Sequence, residues 1–141
     1  MSSKRLLIAN RGEIAIRIAR SAADAGWETI AIHSEDDAQS LHVRRCDEAV
    51  ALTGVGVPAY LDIVQIIARA KEARASAVHP GYGFLAENPD FARACAAAGV
   101  TFVGPEPETL DLFGDKVMAR RLAEKVGVPV LAGTARATPF E

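Results

Sequence analysis

The side chains best placed to do chemistry lie in one stretch of this 141-residue sequence, His79-Pro80-Gly81-Tyr82-Gly83-Phe84-Leu85-Ala86-Glu87-Asn88. The stretch follows an apolar run and precedes a helical pattern, which predicts a strand-to-helix loop. A plain connection of that kind needs about two to six residues and no aromatic ring. A ring between two glycines offers a flat contact for a ligand, and core packing explains it equally well. Tyr82 is therefore a candidate ligand contact, with core packing as the even alternative.

His79 and Glu87 lie toward the two ends of this stretch and are candidates for a supporting role. A histidine that acts as general base needs a nucleophile or an acid within reach, and the sequence places none beside His79. A structural role at the strand end is therefore favoured. Glu87 precedes Asn88, the expected cap of the next helix, where a carboxylate favours the helix start. The sequence predicts no catalytic residue and no metal-ligand set in this segment.

The first turn, residues 10–13, lies where a dinucleotide-binding fold carries the motif Gly-x-Gly-x-x-Gly. Gly12 is the only glycine there, and Glu13 would repel a pyrophosphate at the helix end. The acidic group Glu35-Asp36-Asp37, beyond the second strand, matches a ribose-binding acid in charge alone. NAD or FAD binding is therefore disfavoured. Asn10, Arg11 and Glu13 are expected to form a hydrogen-bond and ion-pair cluster that fixes the turn.

Lys116 follows Asp115, the expected cap of a late helix. A cation in the first helical turn opposes the helix dipole at a cost of a few tenths of a kcal/mol, roughly. A lysine that points to water tolerates this cost. A lysine aimed at a phosphate beside the N–H groups of the helix end explains it equally well.

Arg17, Arg20 and Asp24 share one face of the first helix, at spacings of three and four residues. Arg20 and Asp24 can pair locally for about 0.3 kcal/mol. A solvated charged face is the default interpretation. A polar contact between subunits is the alternative, since arginine is favoured at interfaces.

Alternating strand-like runs and helical patterns must position these residues. Strands are expected at 6–9, 29–33, 48–52, 75–79 and 100–103, and helices at 13–25, 38–45, 62–73, 88–98, 108–113 and 115–126. This alternation predicts an α/β, Rossmann-like, doubly wound fold of about five parallel strands with helices on both faces. The candidate loops then meet at one sheet edge, where such folds bind ligands. Residues 1–127 are expected to form this domain, and 128–141 the start of a linker.

Composition excludes several classes of protein. Half of the residues are hydrophobic, which excludes disorder, and 16 basic residues against 18 acidic ones form no patch for nucleic acid. No apolar run approaches the roughly 18 residues that span a bilayer, and no signal peptide is seen. The two cysteines, Cys46 and Cys95, fit no metal spacing. Two free thiols suit a reducing cytosol, so a cytoplasmic location is expected.

Four motifs, in register over essentially the whole chain, resemble the N-terminal domain of biotin carboxylase. This is the ATP-grasp component of acetyl-CoA, propionyl-CoA and pyruvate carboxylases. The matching segments are Ile8-Ala9-Asn10-Arg11-Gly12-Glu13-Ile14-Ala15, His79 to Asn88, Phe102-Val103-Gly104-Pro105 and Gly114-Asp115-Lys116. The resemblance implies a pre-ATP-grasp fold. It also implies a parent ligase that uses ATP, with Mg²⁺ or Mn²⁺, to activate bicarbonate and carboxylates N1 of biotin on a carrier protein or domain.

Carried over residue by residue, the resemblance implies three roles. Lys116 would contact ATP, and Tyr82 and Gly83 would border the biotin site. The first-helix positions Arg17, Arg20 and Asp24 would lie near a homodimer contact, where the family commonly has Glu in place of Asp24.

The resemblance also implies partners: the ATP-grasp and C-terminal domains, the biotin carboxyl carrier and a carboxyltransferase, which chooses the final carboxyl acceptor. In the family, the ATP-grasp lid, the metal-binding acids and the arginines that polarise bicarbonate lie beyond residue 141. This chain alone is therefore expected to be inactive. Two alternatives remain, the opening domain of another ATP-grasp ligase and a non-enzymatic nucleotide-sensing or assembly module. A eukaryotic parent would place the protein in the mitochondrial matrix.

Overall fold

Five parallel strands form one sheet in the order β3-β2-β1-β4-β5 in the computed structural model, which describes residues 4–131. The strands are β1 (Arg5–Ile8), β2 (Glu28–His33), β3 (Glu48–Ala51), β4 (Ala77–His79) and β5 (Thr101–Phe102). The strand that comes first in the sequence therefore lies at the centre, with β2 on one side and β4 on the other. The predicted doubly wound α/β fold is confirmed.

Helices cover both faces of the sheet. They are α1 (Gly12–Asp24), α2 (Val57–Tyr60), α3 (Ile63–Glu72), α4 (Pro89–Ala97), α5 (Pro107–Gly114) and α6 (Lys116–Lys125). Three of them begin at side-chain caps, because the carboxylate or amide oxygens of Asp62, Asn88 and Asp115 accept hydrogen bonds from N–H groups of the first turn. These caps fix where the loops end and the helices begin.

Two apolar clusters lie on opposite faces of the sheet. The larger contains Leu7, Ile30 and Val78 of the strands together with residues of α3 and α4. The smaller packs Ile8 and Ile18, with their neighbours, between β1 and α1. Alternate residues of β1 and β4 therefore enter opposite cores, as expected of parallel strands buried on both sides.

Two local predictions were wrong. The helix expected at 38–45 is replaced by two short 3-10 turns, Glu35–Asp37 and Val43–Arg45. The short helix α2, which buries Tyr60, was not among the expected helices. Both errors fall where side chains bond to distant parts of the chain, and periodicity alone does not report such bonds.

One part of the α1 face is open. A groove of about 500 Å³ runs between α1 and β4, lined mainly by apolar side chains that include Ile14, Trp27 and Ala77. His79 and Tyr82 of the candidate loop also line this groove. Helices α5 and α6 are the last elements of the described residues, and no residue of α6 is buried. Residues 126–131 follow α6, and the rest of the expected linker, 132–141, lies outside the described residues.

Candidate functional site

The loop after β1 holds the loop after β4. Asn10 is 3% exposed, and its Nδ2 atom donates to the carbonyl oxygens of Pro80, at 2.7 Å, and Tyr82, at 2.8 Å. Its Oδ1 atom accepts from the backbone N–H of Arg11 at 2.9 Å. Both amide protons of the buried Asn10 side chain are thus donated to the loop after β4, about 70 positions away in the sequence. The predicted turn cluster is formed only in part, because Asn10 bonds the Arg11 N–H whereas the Arg11 and Glu13 side chains take partners in other segments.

Tyr82 is presented to solvent in a braced position. The residue is 62% exposed, and its hydroxyl donates to the Oε1 atom of Glu13 at 2.8 Å. The hydrogen bond to Glu13 and the charge of that carboxylate raise the pKa of the Tyr82 phenol. The phenol hydroxyl therefore stays protonated near neutral pH. The exposed face of the ring remains accessible to a ligand.

The two glycines on either side of Tyr82 are required for different reasons. Gly81 and Gly83 both adopt left-handed backbone conformations, with φ of +68° and +65°. A Cβ atom at Gly81 would lie 2.8 Å from Nδ2 of Asn10, whereas one at Gly83 would meet no atom within 4 Å. Gly81 is thus required by close approach as well as by conformation. Gly83 is required by conformation alone and leaves its surroundings open.

His79 supports the same loop. Its Nδ1 atom accepts a hydrogen bond from the backbone N–H of Gly81 at 3.0 Å, so the neutral ring carries its proton on Nε2. Burial lowers the pKa of His79, which keeps the ring neutral at physiological pH. This geometry gives the residue a structural function at the end of β4.

The three acids beyond β2 are all engaged within the protein. Glu35 accepts from the backbone N–H of Gly54 at 2.9 Å. Asp36 accepts from the N–H of Gly56 at 2.9 Å, and this hydrogen bond is the main cause that lowers the pKa of Asp36. Asp37 is buried and binds Arg11. None of the three carboxylates is directed to a ribose, so the geometry weighs further against dinucleotide binding.

A charged network ties Arg11 to Asp37 and Ser40 in the segment after β2 and to Tyr60 of α2. The Arg11 guanidinium contacts both oxygens of Asp37, Nε to Oδ2 at 2.5 Å and a terminal nitrogen to Oδ1 at 2.8 Å. The hydroxyl groups of Ser40, at 2.8 Å, and Tyr60, at 2.9 Å, also donate to this carboxylate. The hydrogen bond from Arg11 leads the causes that hold the pKa of Asp37 well below its usual range. The result is a fully bonded carboxylate beside the candidate loop.

Tyr60 connects this network to the candidate loop. Its ring stacks on Phe84 with centroids 5.4 Å apart and planes 6° from parallel, and the Arg11 guanidinium lies 5.9 Å from the Tyr60 centroid. Phe84 has a positive φ of 41°, which a stacked ring helps to hold. Tyr60 is not among the candidate residues expected from the sequence. A lone aromatic after a glycine-rich loop was its one visible signal.

Lys116 and Glu87 lie apart from these contacts. Lys116 is the first residue of α6 and is exposed, and the Asp115 carboxylate beside it accepts from the N–H groups of Val117 and Met118. Neither Lys116 nor the exposed Glu87 forms an ion pair or side-chain hydrogen bond within residues 4–131. The structure does not bring Lys116 into contact with Tyr82.

The three charged residues predicted to share a face of α1, namely Arg17, Arg20 and Asp24, are exposed. Arg17 lines the same groove as His79 and Tyr82. The local pair considered between Arg20 and Asp24 is not formed in the part of the chain that the structure describes. Their charged groups thus remain unpaired on the surface of α1.

Two further features, a metal site and a membrane-spanning helix, are absent from the described residues. In residues 4–131, no group of three or more histidine, cysteine, aspartate or glutamate side chains is arranged to hold a metal ion. In the same range, no helix has both the length and the apolarity that a membrane crossing requires.

A doubly wound α/β sheet with a braced glycine-rich loop after β4 defines a Rossmann-like domain. Comparison with known proteins makes the assignment specific. The profile of the family described as "Biotin carboxylase, N-terminal domain" matches residues 2–110. The chain therefore belongs to that family.

Three relatives illustrate the match. The pyruvate carboxylase of Staphylococcus aureus (strain Mu50) is 53% identical over 133 residues, which cover 93% of this chain and 12% of that protein. The solved biotin carboxylase domain of a single-chain bacterial carboxylase is 61% identical with a TM-score of 0.93, covering 96% of this chain and 32% of that one. The biotin carboxylase domain of the Hydrogenobacter thermophilus 2-oxoglutarate carboxylase, solved with MgADP and bicarbonate, is 42% identical with a TM-score of 0.90, covering 96% and 30%. This chain thus spans about a third of such domains and about an eighth of the pyruvate carboxylase.

Proposed function

We propose that this chain forms the first domain of a biotin-dependent carboxylase, a ligase that carboxylates biotin with ATP and bicarbonate. The observation that carries the proposal is the loop at 79–88, which presents an exposed, braced Tyr82 ring at the ligand-side edge of the sheet. In this function Tyr82 and Gly83 border the biotin site. The flat ring suits the flat ureido ring of biotin, and the open space beside Gly83 allows a ligand to approach the backbone.

Lys116 would contact ATP in the complete enzyme. Its ammonium group is exposed and has no ion-pair partner among residues 4–131, so it can meet a phosphate without breaking an existing bond. The N–H groups of the same helix end would add to the attraction for an anion. The ATP-bound Mg²⁺ or Mn²⁺ would neutralise phosphate charge, and its ligands would lie outside this segment.

The remaining walls of the site would come from partners. These are the ATP-grasp and C-terminal domains, the carboxyl carrier that brings biotin, and the carboxyltransferase that consumes carboxybiotin. Arg17, Arg20 and Asp24 carry exposed charges on α1 and would lie near a homodimer contact. The family match favours this function over another ATP-grasp ligase or a nucleotide-sensing module. Two free thiols favour a reducing compartment, the cytoplasm or a mitochondrial matrix.

The experiment measures carboxylation of free biotin from ATP and labelled bicarbonate. Two samples are compared: the 141-residue chain, and the same chain joined to the remaining two thirds of the biotin carboxylase domain of the single-chain bacterial carboxylase. We expect no product from the chain alone and product from the joined protein. Activity of the chain alone, or tight magnesium-dependent ATP binding by it in calorimetry, would contradict the proposal that other domains supply the rest of the site. An inactive but folded joined protein would contradict the assignment.

A further inference from the structure

We infer that Asn10 and Glu13 are positioning residues for the biotin contact, because they hold Tyr82 at its two ends. Asn10 fixes the Tyr82 carbonyl and Glu13 fixes the Tyr82 hydroxyl, each at 2.8 Å. The inference rests on the proposed function, since it assigns a purpose to the orientation of that ring. It gives the motif at residues 8–15 a task in the reaction beyond the stability of its own turn.

The Asn10 side chain is suited to this task by its chemistry. Both Nδ2 protons are donated to carbonyls of the loop, and Oδ1 is occupied by the Arg11 N–H. The residue is buried, so water does not compete for these bonds. An aspartate of the same shape would replace two donors by a negative oxygen facing two carbonyl oxygens. Asparagine is therefore required at this position.

The Glu13 side chain fixes the direction of the ring. Glu13 lies in the first turn of α1, a helix held to β1 by a buried apolar face. A bond from this rigid helix to the Tyr82 hydroxyl removes rotation of an exposed ring about its side-chain torsions. Glycines on both sides of Tyr82 leave the backbone with little restraint of its own, so the two side-chain bonds supply it.

The geometry separates this role from a general structural one. Tyr82 is 62% exposed, so loss of its hydroxyl bond removes little buried contact. The folded state should survive without Glu13, whereas the ring should lose its fixed direction. Lys116 lies on α6 and is not in contact with this pair. The effect should therefore appear in the use of biotin and not in the use of ATP.

The first test uses the whole 141-residue chain in solution. Nuclear Overhauser contacts between the Tyr82 ring and the Glu13 side chain are expected in the wild type and should vanish in Glu13→Ala. Absence of these contacts in the wild type would overturn the inference whatever the enzyme does. This arm does not depend on the proposed function.

The second test uses the joined carboxylase described above. Glu13→Ala and Tyr82→Phe should each raise KM for free biotin about fivefold, the scale of one lost hydrogen bond, while KM for ATP stays unchanged. Glu13→Gln keeps an acceptor and should restore most of the wild-type value. Asn10→Asp should raise KM for biotin further. Glu108→Ala, a glutamate at the first turn of α5, is the matched control and should change neither constant.

A double variant decides whether the two residues act through one bond. In a Tyr82→Phe background, Glu13→Ala should have no further effect on KM for biotin. An unchanged KM for biotin in Glu13→Ala, an equal rise in KM for ATP, or full additivity in the double variant would each overturn the inference. A wild-type joined protein that folds but does not carboxylate biotin would instead reject the proposed function. The nuclear Overhauser contacts would then still decide whether Glu13 holds the Tyr82 ring.

Discussion

Asp37→Asn is the most informative single change for the architecture of the site. The carboxylate of Asp37 receives two hydrogen bonds from Arg11, one from Ser40 and one from Tyr60. An asparagine keeps the shape, but it removes the charge and turns one acceptor into a donor. At least one of the four donors would then face another donor. The loop at 35–42 would lose its main attachment to the first turn.

The size of the loss follows from burial. Removing one partner of a buried ion pair costs about 3–5 kcal/mol. The Arg11 side chain is 46% exposed, so water recovers part of its solvation. We therefore expect the low end, a loss of about 3 kcal/mol in the free energy of unfolding. In a domain of this length that is a fall in Tm of about 10 °C.

The same pair predicts how stability depends on pH. The bonds from Arg11 and the two hydroxyl groups lower the pKa of Asp37 in the folded state. A lowered folded pKa means that the stabilisation is complete above the unfolded pKa of about 3.9 and is lost as the pH falls through the folded value. The stability gap between wild type and Asp37→Asn should thus be constant from about pH 7 to pH 5 and narrow below about pH 4.

Urea unfolding followed by circular dichroism, repeated at pH values from 7 to 2.5, measures both effects. Asp36→Asn is the matched control, since the same change one residue earlier affects an exposed carboxylate and should cost much less stability than Asp37→Asn. A loss below 1 kcal/mol for Asp37→Asn, or equal losses for both variants, would refute the reasoning. So would a gap between wild type and Asp37→Asn that does not change at low pH.

Three further predictions test other parts of the fold. Gly81→Ala should lose about 3 kcal/mol of stability, because it adds a left-handed alanine and displaces the buried amide, whereas Gly83→Ala should lose about 1 kcal/mol; equal losses in urea titrations would contradict the close approach. Cys95 is fully buried with a pKa raised to about 11, so Ellman's reagent at pH 8 should modify it only after unfolding, and fast native reaction would disprove the packing. Asp115→Ala should weaken hydrogen-exchange protection of α6 by about 1 kcal/mol while Lys116→Ala leaves it unchanged, and equal effects would show that the cap is not the cause.

The elements were predictable where periodicity decides them. Strands β1 to β4 and the helices capped by Asp62, Asn88 and Asp115 lie within about two residues of their expected positions, because an apolar run or a capping side chain marks each boundary locally. The segment at 35–45 was not predictable in this way. Its conformation depends on bonds between Asp37 and Arg11, which are 26 positions apart.

The candidate site was predictable in its residue types and not in its pairings. The glycine-rich loop was visible because its composition exceeds what a connection needs. The cluster of Asn10, Arg11 and Glu13 was expected, but its partners are 70 positions away in the loop after β4 and 26 positions away in Asp37. Tyr60 was missed because its stacking on Phe84 is a tertiary contact, and a lone aromatic after a glycine-rich loop does not identify its partner.

The central position of β1 has a consequence for synthesis of the chain. One edge of β1 pairs with β2 soon after it is made, but the other pairs with β4, where Ile8 lies beside His79. At a usual elongation rate, the ribosome needs roughly 4 to 14 s to make the intervening segment. During that time the edge of β1 that will pair with β4 is unpaired. The Asn10 amide also lacks its two acceptors, the carbonyl oxygens of Pro80 and Tyr82. The ligand-side edge is therefore assembled late, when β4 arrives, and a nascent chain stalled before that point should depend most on chaperones.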